Sequence, residues 1–435
     1  MSTPTDSGVV RVALLGCGTV GSQVVRLMHE HADDLAARAS ARLELVGIAV
    51  RDTAAERAPW VPRELLTDDA EALVRSADVV VELIGGIGPV RHLVLAALDG
   101  GASVVTGNKA LLAAHGPEVH GAAKRSGADL YYEAAVAGAV PVVYGLRESL
   151  AGDNVNAVLG IVNGTTNYIL DEMATKGLSF EEALAEAQEL GYAEADPTAD
   201  VDGHDAAAKA AILASLAFHT RVGIEDVPVT GIRDVTAEDM AEAREAGMVI
   251  KLLAVARRVT DNGTRGISVR VHPALVPATH PLAAVHGAFN AVLVEAEAAG
   301  RLMFYGQGAG GAPTASAVLG DLVAAASHKV HGGNAPREST YAALPLLDPE
   351  HTPARTQVEI RLVDRPGTLS AVAGIYGRNG VSIESVRQTG TGADDARVTI
   401  VSHRSTEAAL ARTVAELSED LRVHEVVSVM RVEGV

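Results

Sequence analysis

The stretch Val9-Val10-Arg11-Val12-Ala13-Leu14-Leu15-Gly16-Cys17-Gly18-Thr19-Val20-Gly21 decides how the first third of the chain is read. Val9–Leu15 is a short apolar run of the kind that forms a buried strand, and three glycines in the spacing G-x-G-x-x-G follow it at once. Val20–Ala39 then carries its apolar residues at helical period. Each glycine has a task in such a strand–turn–helix setting. Gly16 makes the tight turn, Gly18 lets backbone amides approach a pyrophosphate, and Gly21 lets the helix pack closely on the strand. Thr19 and Val20 open a helix whose N-terminus points partial positive charge at phosphates. A lone glycine motif is weak; inside a βαβ unit near the start of a chain it is a strong sign of a dinucleotide site.

Leu43–Val50, Asp78–Ile84, Ala102–Thr106 and Asp129–Glu133 read as further buried strands with helix-like segments between them. This alternation predicts an α/β fold that begins with a Rossmann-like, doubly wound parallel sheet over residues 1–134. The second strand ends Ala49-Val50-Arg51-Asp52. Arg51 could pair with a 2′-phosphate and Asp52 with a free ribose hydroxyl; the reading leans to NADP, with NAD tolerated. Residues 135–344 mix strands (Val155–Val162, Met248–Arg257, Gly266–His272, Ala291–Ala296) with helices (Asn163–Met173, Phe180–Leu190, Asp205–Thr220) and predict an α+β domain. A Gly-rich turn, Gly306–Ala317, leads into an apolar helix, Ala315–Ala326, which belongs either to this part or back on the nucleotide domain. Ser327–Pro353 reads as a linker. Beyond it, Gln357–Val363, Gly367–Asn379, Val381–Gln388, Arg397–His403, Ser405–Leu417 and Val423–Val432 spell βαββαβ, a ferredoxin-like unit over 353–435.

Composition bounds the possibilities. The 435 residues predict two to four domains, three being the central figure, and 48% apolar with 21% charged residues is the balance of folded globular chains. Lys and Arg number 36 against 55 Asp and Glu, a net charge of −19 that repels phosphate backbones, so no nucleic-acid partner is expected. The single cysteine, Cys17, excludes an internal disulfide and a cysteine zinc site. Aromatics are only 3%, so the core must be Ala, Val, Leu and Ile. No uncharged apolar run reaches a membrane span, and Met1–Ser7 is polar with no basic, then apolar, leader. A cytoplasmic protein without membrane contact is expected.

The densest polar stretch is Gly191-Tyr192-Ala193-Glu194-Ala195-Asp196-Pro197-Thr198-Ala199-Asp200-Val201-Asp202-Gly203-His204-Asp205, leading into Lys209. Asp205 and Lys209 stand four apart and share one helix face. That spacing fits an exposed ion pair, worth little. It fits equally an ammonium half-buried at a cleft, since Ala206–Ala208 and Ala210-Ala211-Ile212-Leu213 flank the lysine.

Gly191–Pro197 followed by Asp200, Gly203, Asp205 and Lys209 closely resembles homoserine dehydrogenases, as do Asn108-Lys109-Ala110, Asn163-Gly164-Thr165-Thr166-Asn167-Tyr168-Ile169 and Gly308-Ala309-Gly310-Gly311. The resemblance covers nearly the whole chain in the family's order. It implies reversible, NAD(P)-dependent oxidation of L-homoserine to L-aspartate 4-semialdehyde in threonine, methionine and isoleucine biosynthesis. By the same resemblance, Lys209 is the general acid/base, Asp205 orients it or the substrate amine, and Lys109 lies by the nicotinamide and can share the proton transfer. Which lysine donates is open. Glu194 matches a substrate-binding residue, with Asp200, Gly191, Tyr192 and Thr165 as weaker candidates and Gly310 beside the cofactor. Positions matching Glu133, Val136, Gly138 and Val140 hold a monovalent cation, sodium or potassium; on its residues alone, Glu133 could equally cap a hinge. The 15 histidines show no spacing for a transition metal. Asp364-Arg365-Pro366-Gly367-Thr368-Leu369 and Asn379-Gly380-Val381-Ser382-Ile383 resemble an ACT domain, with Gly367 and Asn379 at an effector site. The implied effector is L-threonine; a purely dimerising role is the alternative. A homodimer or homotetramer is implied. Two rival readings stand beside this one. An aspartate-semialdehyde dehydrogenase needs a cysteine nucleophile, and the only cysteine sits in the glycine loop. A non-catalytic nucleotide and amino-acid sensor has no need of Lys109, Glu194, Asp205 and Lys209 together.

Overall fold

In the computed structural model, residues 8–261, 263–390 and 395–434 are described; Met1–Ser7, read above as a polar start, lies outside them. The chain forms two compact units, each assembled from three stretches: 1–164, 208–227 and 289–343 in the first, 165–207, 228–288 and 344–435 in the second.

The first unit is built on β1 (Val9–Leu15), β2 (Arg42–Ala49), β3 (Leu66–Thr67), β4 (Val79–Glu82), β5 (Ser103–Thr106) and β6 (Leu130–Tyr131). They stand in the order β3-β2-β1-β4-β5-β6, all parallel. The order reverses beside β1, and Gly16 leaves the carboxyl end of that strand; this is the switch point where doubly wound sheets bind ligands. β4 and β5 are buried along their whole length, as parallel strands covered on both faces must be. Their apolar residues are Val, and the helices laid on them contribute Val24, Met28, Ala315, Val318 and Leu322, so the core is the aliphatic one that the composition demands. The apolar helix near 315–326 is longer than its pattern indicates, Gly311–His331, and packs into this nucleotide-sheet core. His328, Lys329 and His331 in its last turn match the negative end of the helix dipole, which is why it runs five residues into the expected linker. The single helix expected over Val20–Ala39 is two, Thr19–Glu30 and Ala32–Ala39, broken at His31. Asp33 and Asp34 start the second helix, where carboxylates favour an N-terminus over a helix interior. The same unit holds three antiparallel strands, Val155–Ile161, Phe289–Ala296 and Gly300–Gln307, with Phe289–Ala296 in the middle. Gly300–Gln307 was missed because it is a half-exposed edge strand with Gly300 and Gly306 near its ends, so it carries a turn-like signature.

In the second unit the hairpin Met248–Asp261 with Thr264–Pro277 is extended by Val423–Val432, whose Arg431 and Val432 pair in parallel with Ala274 and Leu275. Thr356–Val363, Asp395–Ser402 and Ile383–Gly390 follow, all antiparallel. The four C-terminal strands are therefore ordered 4-1-3-2, the ferredoxin-like arrangement. Helices Thr368–Arg378 and Glu407–Glu419 supply Val372, Ile375, Leu410 and Leu417 to a core shared with Val358 and Ile360.

Candidate active site

At the carboxyl end of β1 the glycines are held by space. Gly16 sits at φ +94°, and a Cβ there would lie 2.8 Å from the Leu83 carbonyl oxygen. A Cβ on Gly21 would lie 2.3 Å from the Gly16 carbonyl oxygen. A Cβ on Gly18 would meet nothing within 4 Å, so its face is open to a ligand. Thr19 and Val20 begin the helix behind it. The second glycine-rich turn, which includes Gly310 at φ +125°, brings Gly311 against the same helix start, its Cβ position 3.1 Å from the Thr19 carbonyl oxygen. Two helix N-termini thus meet at the glycine loop, the arrangement that phosphates prefer.

The cleft there has a volume of about 620 Å³ and is lined by Gly16, Gly18, Arg51, Asp52, Arg57 and Leu83 among others. Arg51 is exposed at its edge. Asp52 Oδ1 accepts the backbone N–H groups of Ala54 (2.8 Å) and Ala55 (3.2 Å), so it spends an oxygen on its own turn. Arg57, which no motif signalled, reaches back to donate to the Cys17 carbonyl (3.0 Å) and the Asp52 carbonyl (3.0 Å). Burial pushes the Cys17 thiol up, so this cysteine is a poor nucleophile. Glu82, also unsignalled, is fully buried at the end of β4 and accepts from Thr106 Oγ1 (2.6 Å), Ile84 N (2.8 Å) and Gly85 N (3.0 Å). It ties the ends of β4 and β5 to the loop beside Gly16. Asn108 caps the next helix, accepting from Leu111 N at 3.0 Å and donating to the Gly86 carbonyl at 2.7 Å. That cap places Lys109 at the first helical position, half-buried at the carboxyl edge of the sheet.

Lys209 is 8% exposed on the Ala-rich helix His204–Phe218, and its Nζ donates to the Val162 carbonyl at 2.6 Å. Of the two readings left open by the spacing, burial rules out the solvated surface pair. Asp205, one turn earlier on the same helix, is buried as well. In the second unit, Thr165 Oγ1 donates to the Tyr192 carbonyl at 2.7 Å, and the Tyr168 and Tyr192 rings stand 4.9 Å apart. This fixes the Gly191–Tyr192 turn, where Gly191 has φ +75°. Glu194 is exposed, its backbone carbonyl accepting from Gln188 Nε2 at 3.0 Å, and Asp200 is half-buried.

The Glu133–Val140 segment, back in the first unit, is a tight buried turn. Glu133 accepts from Val143 N (2.9 Å) and Tyr144 N (2.8 Å), while its own N–H donates to buried Asp321 at 2.8 Å. Burial pushes the Glu133 carboxyl up to about 7 and the Asp321 carboxyl up to about 8. Ala137 and Gly138 both have φ +56°, and a Cβ on Gly138 would lie 2.5 Å from the Gly308 carbonyl oxygen. Val136 and Val140 are buried on either side. In the C-terminal module Gly367 caps the helix Thr368–Arg378 at φ +91°, with open space where a Cβ would be. Asn379 ends that helix, donating to the Ile375 carbonyl (3.0 Å) and to Glu416 (2.8 Å).

Family models match the chain in three places: the homoserine dehydrogenase NAD-binding domain over residues 16–133, homoserine dehydrogenase over 141–323 and the ACT domain over 356–421. The homoserine dehydrogenase of Corynebacterium glutamicum is 56% identical over 427 residues, covering 98% of this chain and 96% of that protein. This chain belongs to the homoserine dehydrogenase family. Among solved structures, the homoserine dehydrogenase from Thiobacillus denitrificans superposes with a TM-score of 0.91 at 37% identity, over 98% of this chain and 99% of that one. A hyperthermophilic archaeal homoserine dehydrogenase, solved in complex with NADPH, matches with a TM-score of 0.61 at 26% identity, over 73% of this chain and 97% of that one. The protein is accordingly an oxidoreductase of amino-acid biosynthesis with a nicotinamide-dinucleotide site and a C-terminal ACT domain. No helix among the described residues is long and apolar enough to cross a membrane.

Proposed function

We propose that Lys209 is the group that exchanges a proton with the C4 oxygen of the substrate in this homoserine dehydrogenase reaction. The observation that carries the reading is a buried ammonium on an alanine-lined helix, aimed by the Val162 carbonyl. In the direction of homoserine oxidation the neutral amine takes the hydroxyl proton as the C4–H pair leaves as hydride. In the reverse direction the ammonium donates its proton to the oxygen on which negative charge develops. When bound, the nicotinamide supplies or accepts that hydride. Lys109, at the sheet edge, stabilises the same oxygen or shares the proton. Asp205 orients Lys209 or the substrate amine, and Glu194 holds the α-ammonium, with Asp200, Thr165 and the Gly191–Tyr192 turn completing the substrate site. Gly16, Gly18, Gly21 and Gly310, with the amides of Thr19 and Val20, hold the pyrophosphate.

NADP is the preferred cofactor. Arg51 and Arg57 border the cleft where a 2′-phosphate would fall, and Asp52 is engaged with Ala54 and Ala55. A sodium or potassium ion fits the Glu133–Val140 turn. Both Glu133 oxygens already accept backbone N–H groups, so main-chain carbonyls at 136, 138 and 140 would hold the ion while Glu133 braces the turn. Division of labour follows the three stretches 1–134, 135–344 and 353–435, which bind nucleotide, bind substrate and dimerise, and regulate, respectively. L-threonine is the effector at Gly367 and Asn379, the assembly is a homodimer or homotetramer, and the compartment is the cytoplasm.

The test measures NADPH formation from L-homoserine by wild type, Lys209→Met and Lys109→Met, each with NADP+ and NAD+. Lys209→Met is expected to lower kcat by about 10²- to 10⁴-fold at unchanged melting temperature. Turnover by Lys209→Met equal to wild type overturns the assignment.

A further inference from the structure

The two oxygens of Glu82, a fully buried residue at the end of β4, are held from opposite sides. Oε1 accepts the successive amides of Ile84 (2.8 Å) and Gly85 (3.0 Å). Gly85 and Gly86 stand at φ +78° and +75°, so the loop curls back over the strand end. Successive amides in such a curl make a seat for an anion, and here the protein's own carboxylate occupies it. Oε2 accepts the Thr106 hydroxyl at 2.6 Å, from the position directly opposite on β5.

The bonds continue beyond Thr106. With its one proton committed to Glu82, Thr106 Oγ1 accepts the Asn108 N–H at 3.0 Å. Asn108 caps the helix Lys109–Ser126 through Leu111 N, and its Nδ2 returns to the Gly86 carbonyl at 2.7 Å. A closed circuit thus runs from Glu82 through Thr106, Asn108, Gly86 and Gly85 back to Glu82. Two functional parts adjoin it. Ile84 lines the glycine-loop cleft, and Lys109 follows Asn108 as the first residue of the capped helix.

None of the three donors to Glu82 is charged, so hydrogen bonds alone offset the cost of taking this carboxylate out of water. An apolar residue of similar size would avoid that cost. What the carboxylate supplies is two acceptor oxygens that face apart. Glutamine has one acceptor, and its NH2 group would meet either the loop amides or the hydroxyl proton.

We propose that Glu82 is a positioning residue for the reaction, acting through Thr106 and Asn108 to fix the backbone from which Lys109 reaches the substrate oxygen. The inference rests on Lys109 acting at that oxygen. Glu82 itself touches neither substrate nor cofactor; it sets where the helix that carries the ammonium begins.

The experiment measures kcat for homoserine oxidation and melting temperature on the full-length protein. The variants are Glu82→Gln, Thr106→Val and Lys109→Met, with each of the first two also combined with Lys109→Met. Glu82→Gln and Thr106→Val are each expected to lower kcat about tenfold, the order of loss that follows a small misplacement of a reacting group. In the Lys109→Met background the same changes should alter kcat less than about twofold, since the group they position is gone. A merely structural role would carry the full loss into that background, and this result overturns the proposal. Wild-type kcat in Thr106→Val overturns it too, because that variant keeps the side-chain shape and the hold of Glu82 on Ile84 and Gly85. Should Glu82→Gln fail to fold, the Thr106→Val pair decides. Wild-type kcat in Lys109→Met removes the role of Lys109 and this proposal together. A lowered kcat in Lys109→Met beside an unaffected Thr106→Val removes this proposal alone.

Discussion

The glycine loop at 16–21 and the turn at 133–140 solve the same problem by different means. Both bend the backbone into conformations where no side chain fits: Gly16 faces the Leu83 carbonyl, and Gly138 faces the Gly308 carbonyl. In the loop, the recognisable signal lies within thirteen consecutive residues, because strand, turn and helix are local, even though the carbonyl that Gly16 meets comes from Leu83. In the turn it lies far away, with Asp321 and Gly308 supplied from distant parts of the chain. Local chemistry is therefore legible before folding, and a site made of backbone atoms from several elements is not.

Substitution at the glycines offers the hardest test of that contrast. Gly21→Val should raise the cofactor KM by about 100-fold or more, because the new carbons meet the Gly16 carbonyl, and cofactor titration by fluorescence reads it directly. Retention of wild-type affinity would break the idea that the loop is held by space alone. A smaller effect is expected where motif and tertiary contact meet. The double variant Arg51→Ser/Arg57→Ser should raise KM for NADP+ by about tenfold to a hundredfold and leave KM for NAD+ nearly unchanged, a split that steady-state kinetics resolves.

The turn responds to pH instead. Asp321 has its carboxyl raised to about 8, so it takes up a proton on folding. The stability this contributes is complete below the ordinary carboxylate range and is lost as pH rises towards 8. Wild type should therefore lose melting temperature between pH 5 and 8.5, and Asp321→Asn should lose about 5 °C less over the same range. Parallel slopes would remove the buried carboxyl from the account. The smallest change concerns the C-terminal module: Asn379→Ala should leave kcat untouched and raise the L-threonine concentration for half-inhibition about tenfold, measured in the homoserine assay. Unaltered inhibition would leave Asn379 only its helix-ending bonds to Ile375 and Glu416.

Much of the molecule was legible in advance for reasons that can be traced to particular residues. Val79–Val81 and Val104–Thr106 are continuous apolar or β-branched runs because both faces are covered, and such runs announce themselves. Gly300–Gln307 did not, since an edge strand with one wet face needs no continuous apolar pattern. Lys209 stood out as a charge among alanines, but spacing alone could not tell a solvated pair from a buried amine. Arg57, Glu82 and Asp321 carried no signal whatever. An isolated Arg or Glu in a sequence is ordinary; its meaning depends on what packs over it.

By itself the sequence determined the strand–helix alternation of the nucleotide sheet, the glycine loop, the aliphatic character of the core and the βαββαβ ending, because hydrophobic period and turn chemistry act over a few residues. Only the tertiary structure decided that Lys209 is buried and aimed by Val162, that Asp52 spends its oxygen on its own turn beside two arginines, and that Glu133 and Asp321 are buried side by side. The reason is desolvation. The cost of removing a charge from water, and the partners that offset it, are set by neighbours brought together from distant parts of the chain.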